Sequence, residues 1–234
     1  MRCLILLPLI ISCHSTPKPS VKIIAGKNKD SVVVELDVSK YPETKKNIVL
    51  LVKNQHSENF NEAYSKLFVN AVTDSIIPYW YGTKWNFYGN TETPQQGTIA
   101  CGYFVTTVLR DAGCPINRVK LAQYPSEKII TSLVSKKSIR RYSNVPLNEF
   151  IDDIKKQGEG LFVIGLDNHV GFLLNDDKGV WFIHSSYINP GCVAKQDATN
   201  NSILYYSKYR ITGKISADDN FLRSWQKNMQ SKRL

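Results

Sequence analysis

The sequence predicts an α+β fold: a central helix bearing a cysteine, packed on an antiparallel sheet, with extra strands on the N-terminal side. Three observations predict it. An apolar stretch, Cys101-Gly102-Tyr103-Phe104-Val105, has helical character and ends at Gly113. Residues 161–215 break into short aliphatic runs separated by turn signals, the pattern of adjacent strands. Two of the chain's four histidines, His169 and His184, fall in the hairpin that this pattern creates.

The first 13 residues read as a targeting signal rather than as structure. Arg2 supplies a short positive region, and Leu4 to Ile11 is too short to span a bilayer as a folded helix. Residues 1–12 form the expected signal peptide, and Ile10-Ile11-Ser12-Cys13 resembles a bacterial lipobox, which implies lipidation at Cys13. Lipid chains would anchor the chain without spanning the membrane. Residues 13–20, with Pro17 and Pro19, read as a stiff tether. The expected location is the bacterial cell envelope, on the outer membrane or facing the periplasm. From residue 21 onward no strong linker interrupts the chain, so 21–234 reads as one domain with an N-terminal β extension over about 21–58.

Within that domain, Val21 to Ala25, Ser31 to Val38 and Asn47 to Val52 are rich in β-branched and aliphatic residues and predict three strands. Lys27 to Asp30 and Lys40-Tyr41-Pro42 supply turns between them. Asn59 to Ile77 carries Phe60, Ala63, Leu67, Ala71 and Ile76 near helical spacing, predicting a helix that ends before Pro78. An aromatic loop follows, from Pro78 through Tyr88. The next helix is expected from Thr98, as N-cap, to Gly113. Ser126 to Lys136 and Leu147 to Gln157 read as amphipathic helices, with the basic segment from Lys136 to Arg141 as a solvated face between them. Leu161 to Leu166, His169 to Asn175 and Val180 to Ser185 are strands, with Asp167-Asn168 as a tight turn. Ile203 to Tyr206 and Tyr209 to Ile215 extend the sheet, and Asp219 to Met229 closes the chain as a helix.

Lys and Arg outnumber Asp and Glu by 30 to 20, so the surface suits polyanions or anionic walls and membranes. No clustered basic stripe accompanies a nucleic-acid motif, and nucleic acid is not an expected partner. Of five cysteines, Cys3 leaves with the signal and Cys13 is acylated, leaving Cys101, Cys114 and Cys192. An odd number in an exported chain implies a free thiol, assigned to Cys101. A Cys114–Cys192 bridge is compatible with the count, and sequence does not decide it.

A thiol in the first turn of a helix is expected to have a lowered pKa, because unpaired N–H groups and the macrodipole favour the thiolate. If Asn175 pairs with Val180, Gly171 faces His184 and Leu173 faces Phe182. His169 and His184 then share one face as diagonal neighbours, roughly 7–8 Å apart along the backbone. Gly171 leaves room for a helix end to approach the sheet. Nucleophile, base and orienting group are thereby all available. A metal site from the same three residues is disfavoured, since they lack compact ligand spacing, and no cofactor is expected.

These motifs resemble the NlpC/P60 family of papain-like cysteine peptidases, which cut peptide bonds in bacterial cell-wall stems. Pro78-Tyr79-Trp80-Tyr81-Gly82 is similar to the family's first motif, and Ala100-Cys101-Gly102-Tyr103-Phe104-Val105 to its nucleophile motif. His169-Val170-Gly171-Phe172-Leu173 and Phe182-Ile183-His184-Ser185 are similar to the two histidine motifs. The resemblance covers residues 75–190 and implies a Cys101–His169–His184 triad hydrolysing amides, above all in peptidoglycan stem peptides, in a monomer. Ala100 and Gly102 depart from the family's acidic residue and serine, which help to hold the substrate's free amine. Pro94-Gln95-Gln96-Gly97 resembles the papain-like segment whose glutamine lines the oxyanion hole, so Gln96 (or Gln95) and Tyr79 are the candidate oxyanion or substrate-binding residues. Two other readings stand beside this one: an amidase or acyltransferase acting on non-wall amides, and a non-catalytic wall-binding lipoprotein.

Overall fold

The computed structural model describes residues 22–25 and 32–233. The signal, the lipidation cysteine Cys13 and the tether lie outside the described residues. Among those described, the architecture is α+β, built on a six-stranded antiparallel sheet.

The chain opens with a two-stranded antiparallel ribbon, β1 (Lys22–Ala25) and β2 (Val32–Glu35). The third expected strand is instead part of a helix, α1 (Tyr41–Lys53). Its buried residues Tyr41, Ile48, Val49 and Val52 make one helical stripe, Pro42 occupies the first turn, and Glu43 sits near the positive helix end. Tertiary burial of that stripe overrides the β preference of its branched residues.

Next comes α2 (Phe60–Asn70), capped by Asn59, whose side chain accepts from the Glu62 N–H. The helical path does not stop before Pro78 as expected. It widens into a π segment, Ala71–Ile76, and re-forms as α3 (Ile77–Trp80). Pro78 falls in the first turn of α3, directly after the widened π segment.

Helix α4 (Cys101–Asp111) is the centrepiece, with Phe104, Val105, Val108 and Leu109 fully buried. Each such burial contributes about 2 kcal/mol. Its N-cap is Ala100 rather than Thr98, and it ends, as expected, before Gly113. Short helices α5 (Arg118–Ala122) and α6 (Ser126–Leu133) follow. Part of the expected solvated basic segment is an edge strand, β3 (Ile139–Ser143), in which Arg140 and Arg141 face outward to Asp153 and Glu127 while Tyr142 turns inward.

The remaining elements are α7 (Leu147–Lys156), β4 (Gly160–Leu166), β5 (Val170–Asp176), β6 (Gly179–Ser185), β7 (Val193–Asp197), α8 (Ser202–Tyr206), β8 (Tyr209–Lys214) and α9 (Asp219–Ser231). Strand order is β3-β8-β4-β5-β6-β7. The expected strand at Ile203–Tyr206 is helix α8, because Asn201 caps it and two successive tyrosines, Tyr205 and Tyr206, both face solvent. Strand β7 had no counterpart in the sequence reading.

The sheet carries a core on each face. On one, Val170, Phe172, Leu174 and Ile183 pack with α1, α2, α4 and α9; the Phe104 and Phe172 rings meet edge to face at 6.0 Å. On the other, Leu173 and Phe182 pack with Phe150, Ile151 and Ile154 of α7 and Ile203 and Leu204 of α8. Helix α4 is tied down at its far end. The Tyr41 hydroxyl donates to Asp111 at 2.8 Å, and Trp80 Nε1 donates to Tyr41 Oη at 2.8 Å.

Candidate active site

The β5–β6 register is the one the turn residues imply: Asn175 pairs with Val180 and Leu173 with Phe182. His169, just before β5, and His184, in β6, accordingly share a face. His169 Nε2 and His184 Nδ1 are 2.9 Å apart. Both rings are almost wholly buried, at 2% and 0% exposure. Phe182 stacks on His184 with ring centroids 4.0 Å apart, and Tyr187 meets His169 edge-on at 5.2 Å. These aromatic rings shield the imidazole pair from water, and the resulting low dielectric strengthens its hydrogen bond.

Gly171 is required here, but not for the expected reason. A Cβ at that position would lie 2.7 Å from the Phe182 ring and 3.0 Å from His184 Cβ. The space is filled by the imidazole support, and α4 packs on the opposite face of the sheet. Cys101 and His169 both border the space at the β4–β5 turn. There a cleft of about 250 Å³ is lined by Cys101, Gly102, Tyr124, Ser126, Asn168 and His169, among others.

The cysteine is held from three sides. Ala100, in extended conformation, provides no side-chain cap, so the first N–H groups of α4 stay free to face the sulfur or a substrate. Ser185, the neighbour of His184, points to the other face and donates to the Ile99 carbonyl at 2.7 Å. Strand β6 thereby fixes both the imidazole pair and the segment leading into Cys101. Gly102 fits tightly against the α5–α6 connection: a Cβ there would come within 2.5 Å of the Ala122 carbonyl oxygen.

Burial pushes the Cys101 thiol up, outweighing the backbone N–H groups of Val170, Gly102 and Cys101, which pull it down. The expectation of a lowered thiol is therefore corrected, because desolvation exceeds the helix-start effect. His169 is held well below the ordinary imidazole value by burial and by His184. Burial also pushes His184 down to about 4, against a bond to Gln196 that raises it. The resting state is a neutral thiol beside neutral imidazoles. The two share the cleft, but no hydrogen bond links the Cys101 sulfur to His169. Catalytic contacts of this kind often close only with substrate present.

His169 shares the cleft with Cys101 and is hydrogen-bonded to His184, which does not line it; the two oxyanion candidates lie apart. The Tyr79 hydroxyl is engaged with Thr44 at 2.9 Å, and Gln96 sits on an exposed loop; neither lines the cleft. Gln95 instead donates to the Tyr79 carbonyl. The aromatic loop divides: Tyr79, Trp80 and Tyr81 are buried, whereas Phe87 and Tyr88 are exposed. Cys114 and Cys192 are free thiols and form no bridge.

Three contributors escaped the sequence reading: Tyr187, Gln196 and Asn201. Gln196 was hidden because β7 is short and polar. Asn201 carried a legible signal, an N-cap residue before Ser-Ile-Leu. Among the described residues, no group of three or more His, Cys, Asp or Glu side chains is placed to hold a metal ion, and no helix is long and apolar enough to cross a membrane. No protein-family model, curated protein or solved structure matches the chain.

Proposed function

We propose that this chain is an exported, lipid-anchored cysteine hydrolase of the NlpC/P60 type that cleaves peptide amides of peptidoglycan. The observation that carries the reading is the buried His169–His184 hydrogen bond at 2.9 Å, adjoining a cleft that also contains Cys101. Each half has an ordinary structural role on its own. A hydrogen-bonded histidine pair, one member of which borders a cleft with a thiol, supplies the residue types of a nucleophile, a base and an orienting group.

In the proposed reaction the substrate carbonyl enters the cleft above the first turn of α4. Cys101 sulfur attacks the carbonyl carbon as its proton passes to His169 Nδ1. The Cys101 backbone N–H meets the developing oxyanion; such donors typically contribute about 3 kcal/mol. The carbon–nitrogen bond then breaks, and the leaving amine takes the proton from His169. Water, deprotonated by His169, attacks the thioester, and the acid product leaves with the thiol restored.

The substrate class rests on the motif resemblance, the lipobox-like start and a basic surface suited to an anionic wall. Purified peptidoglycan incubated with wild type and with Cys101→Ala, read by mass spectrometry of the soluble fraction, tests it. Stem-peptide fragments released by wild type alone are expected. A wild type that releases nothing from peptidoglycan yet hydrolyses other peptide amides would overturn the wall assignment.

A further inference from the structure

The His184 ring makes its second hydrogen bond to a side chain that the proposed reaction has not used. His184 Nε2 lies 2.8 Å from Gln196 Oε1. The same oxygen accepts from Asn201 Nδ2 at 2.9 Å. The Asn201 amide cannot be reversed, because its own oxygen accepts the Leu204 backbone N–H at 3.1 Å as the cap of α8. A backbone N–H therefore determines the orientation of every group along this line. Asn201 must present its NH2 to Gln196, so Gln196 must present oxygen to His184. His184 must then carry its proton on Nε2 and offer the lone pair of Nδ1. His169 donates to it from Nε2, leaving the Nδ1 lone pair as the only free position on that ring.

We propose that Gln196 and Asn201 are positioning residues that fix the tautomer of the histidine pair, so that His169 presents a proton-accepting nitrogen to the Cys101 cleft. The proposal rests on the hydrolase reading for its consequence, though not for its geometry. Asn201 is 5% exposed, and Gln196 lies beside it on β7, diagonally across from His184. If Gln196 were reversed, its NH2 would meet His184 Nε2. The proton would move to His184 Nδ1, and His169 would turn an N–H toward the cleft, where it has no capacity to accept the thiol proton. A lost orienting bond of this kind typically costs roughly tenfold to 100-fold in activity.

Two substitutions separate this role from a merely structural one because their expected effects have opposite signs. Gln196→Glu keeps an oxygen toward His184 and adds a negative charge that favours the imidazolium. Asn201→Asp keeps the helix cap but removes the NH2 that fixes Gln196. The readout is the rate of Cys101 alkylation by iodoacetamide in the intact protein from pH 4.5 to 9, resolved from the other cysteines by peptide mass spectrometry. With Gln196→Glu we expect a higher neutral plateau and an acid limb displaced upward by about one pH unit, since a neighbouring anion favours the charged imidazole. With Asn201→Asp we expect a plateau lowered roughly tenfold.

Profiles for both variants that superimpose on wild type, or that fall together without any displacement of the acid limb, would overturn the proposal. If Asn201→Asp fails to fold, the direction of the Gln196→Glu displacement decides alone. Failure of the hydrolase reading looks different: His169→Ala would then leave the wild-type profile unchanged.

Discussion

The two sides of the candidate site are built on opposite plans. On the imidazole side both rings are buried, Phe182 and Tyr187 pack on them, and hydrogen bonds continue through Gln196 and Asn201 to a backbone N–H. On the thiol side Cys101 lines an open cleft, and the first turn of α4 is left uncapped. In the proposed reaction the base would thus be held in place before substrate arrives, and the first turn of α4 would be left for the substrate to meet. The pKa directions are alike on both sides: burial raises the thiol and depresses both histidines, favouring the neutral form of each.

Removing the reacting groups should produce the largest effect. Cys101→Ala is expected to lower the hydrolytic rate by about 10,000-fold or more, and His169→Ala by nearly as much, because members of such a unit act together. Chemical denaturation should show Cys101→Ala folded with little change in midpoint. An unfolded Cys101→Ala would assign the thiol to the core instead.

The closed side should also respond to acid. Both histidines have lower pKa values folded than unfolded, so the unfolded chain binds protons that the folded chain does not. Stability is then fully present above about pH 6.5 and is lost as pH falls toward 4. His184 alone would account for on the order of 2 kcal/mol by pH 5. Denaturation midpoints from pH 7.5 to 4.5 should drop in wild type and drop less in His184→Asn. Parallel curves would place the acid sensitivity elsewhere.

The smallest effect tests the thiol-side wall. Gly102→Ser puts a Cβ against the Ala122 carbonyl. It should cost about 1–3 kcal/mol through overpacking, seen as a lower denaturation midpoint. A neutral or stabilising result would show that the α5–α6 connection yields and that this wall is not rigid.

Much of the base side was legible because strand physics is local. The turn residues Asp176 to Gly179 set the register, and a period of two then places His169 and His184 on one face. The cysteine at the head of α4 was equally legible from apolar spacing. What lay beyond reach depended on contacts distant in sequence. Nothing near Gly171 announces that Phe182 fills its missing side chain, and nothing near Cys101 announces that burial outweighs the helix start. Asn47 to Val52 was misread as a strand because local β preference is weak beside the burial of one helical stripe. The Tyr79 and Gln96 assignments failed to reach the cleft because motif spacing does not specify where a hydroxyl or a loop amide ends up.

The central claim is that Cys101 forms a covalent bond to the acyl group under the control of His169. The most direct test is to mix wild type with peptidoglycan stem peptides, quench in acid within the first turnovers, and map the Cys101 peptide by mass spectrometry. The account predicts a hydroxylamine-labile adduct of acyl mass on Cys101, abolished in His169→Ala. Turnover that persists in Cys101→Ala, or an adduct carried by another residue, would contradict it.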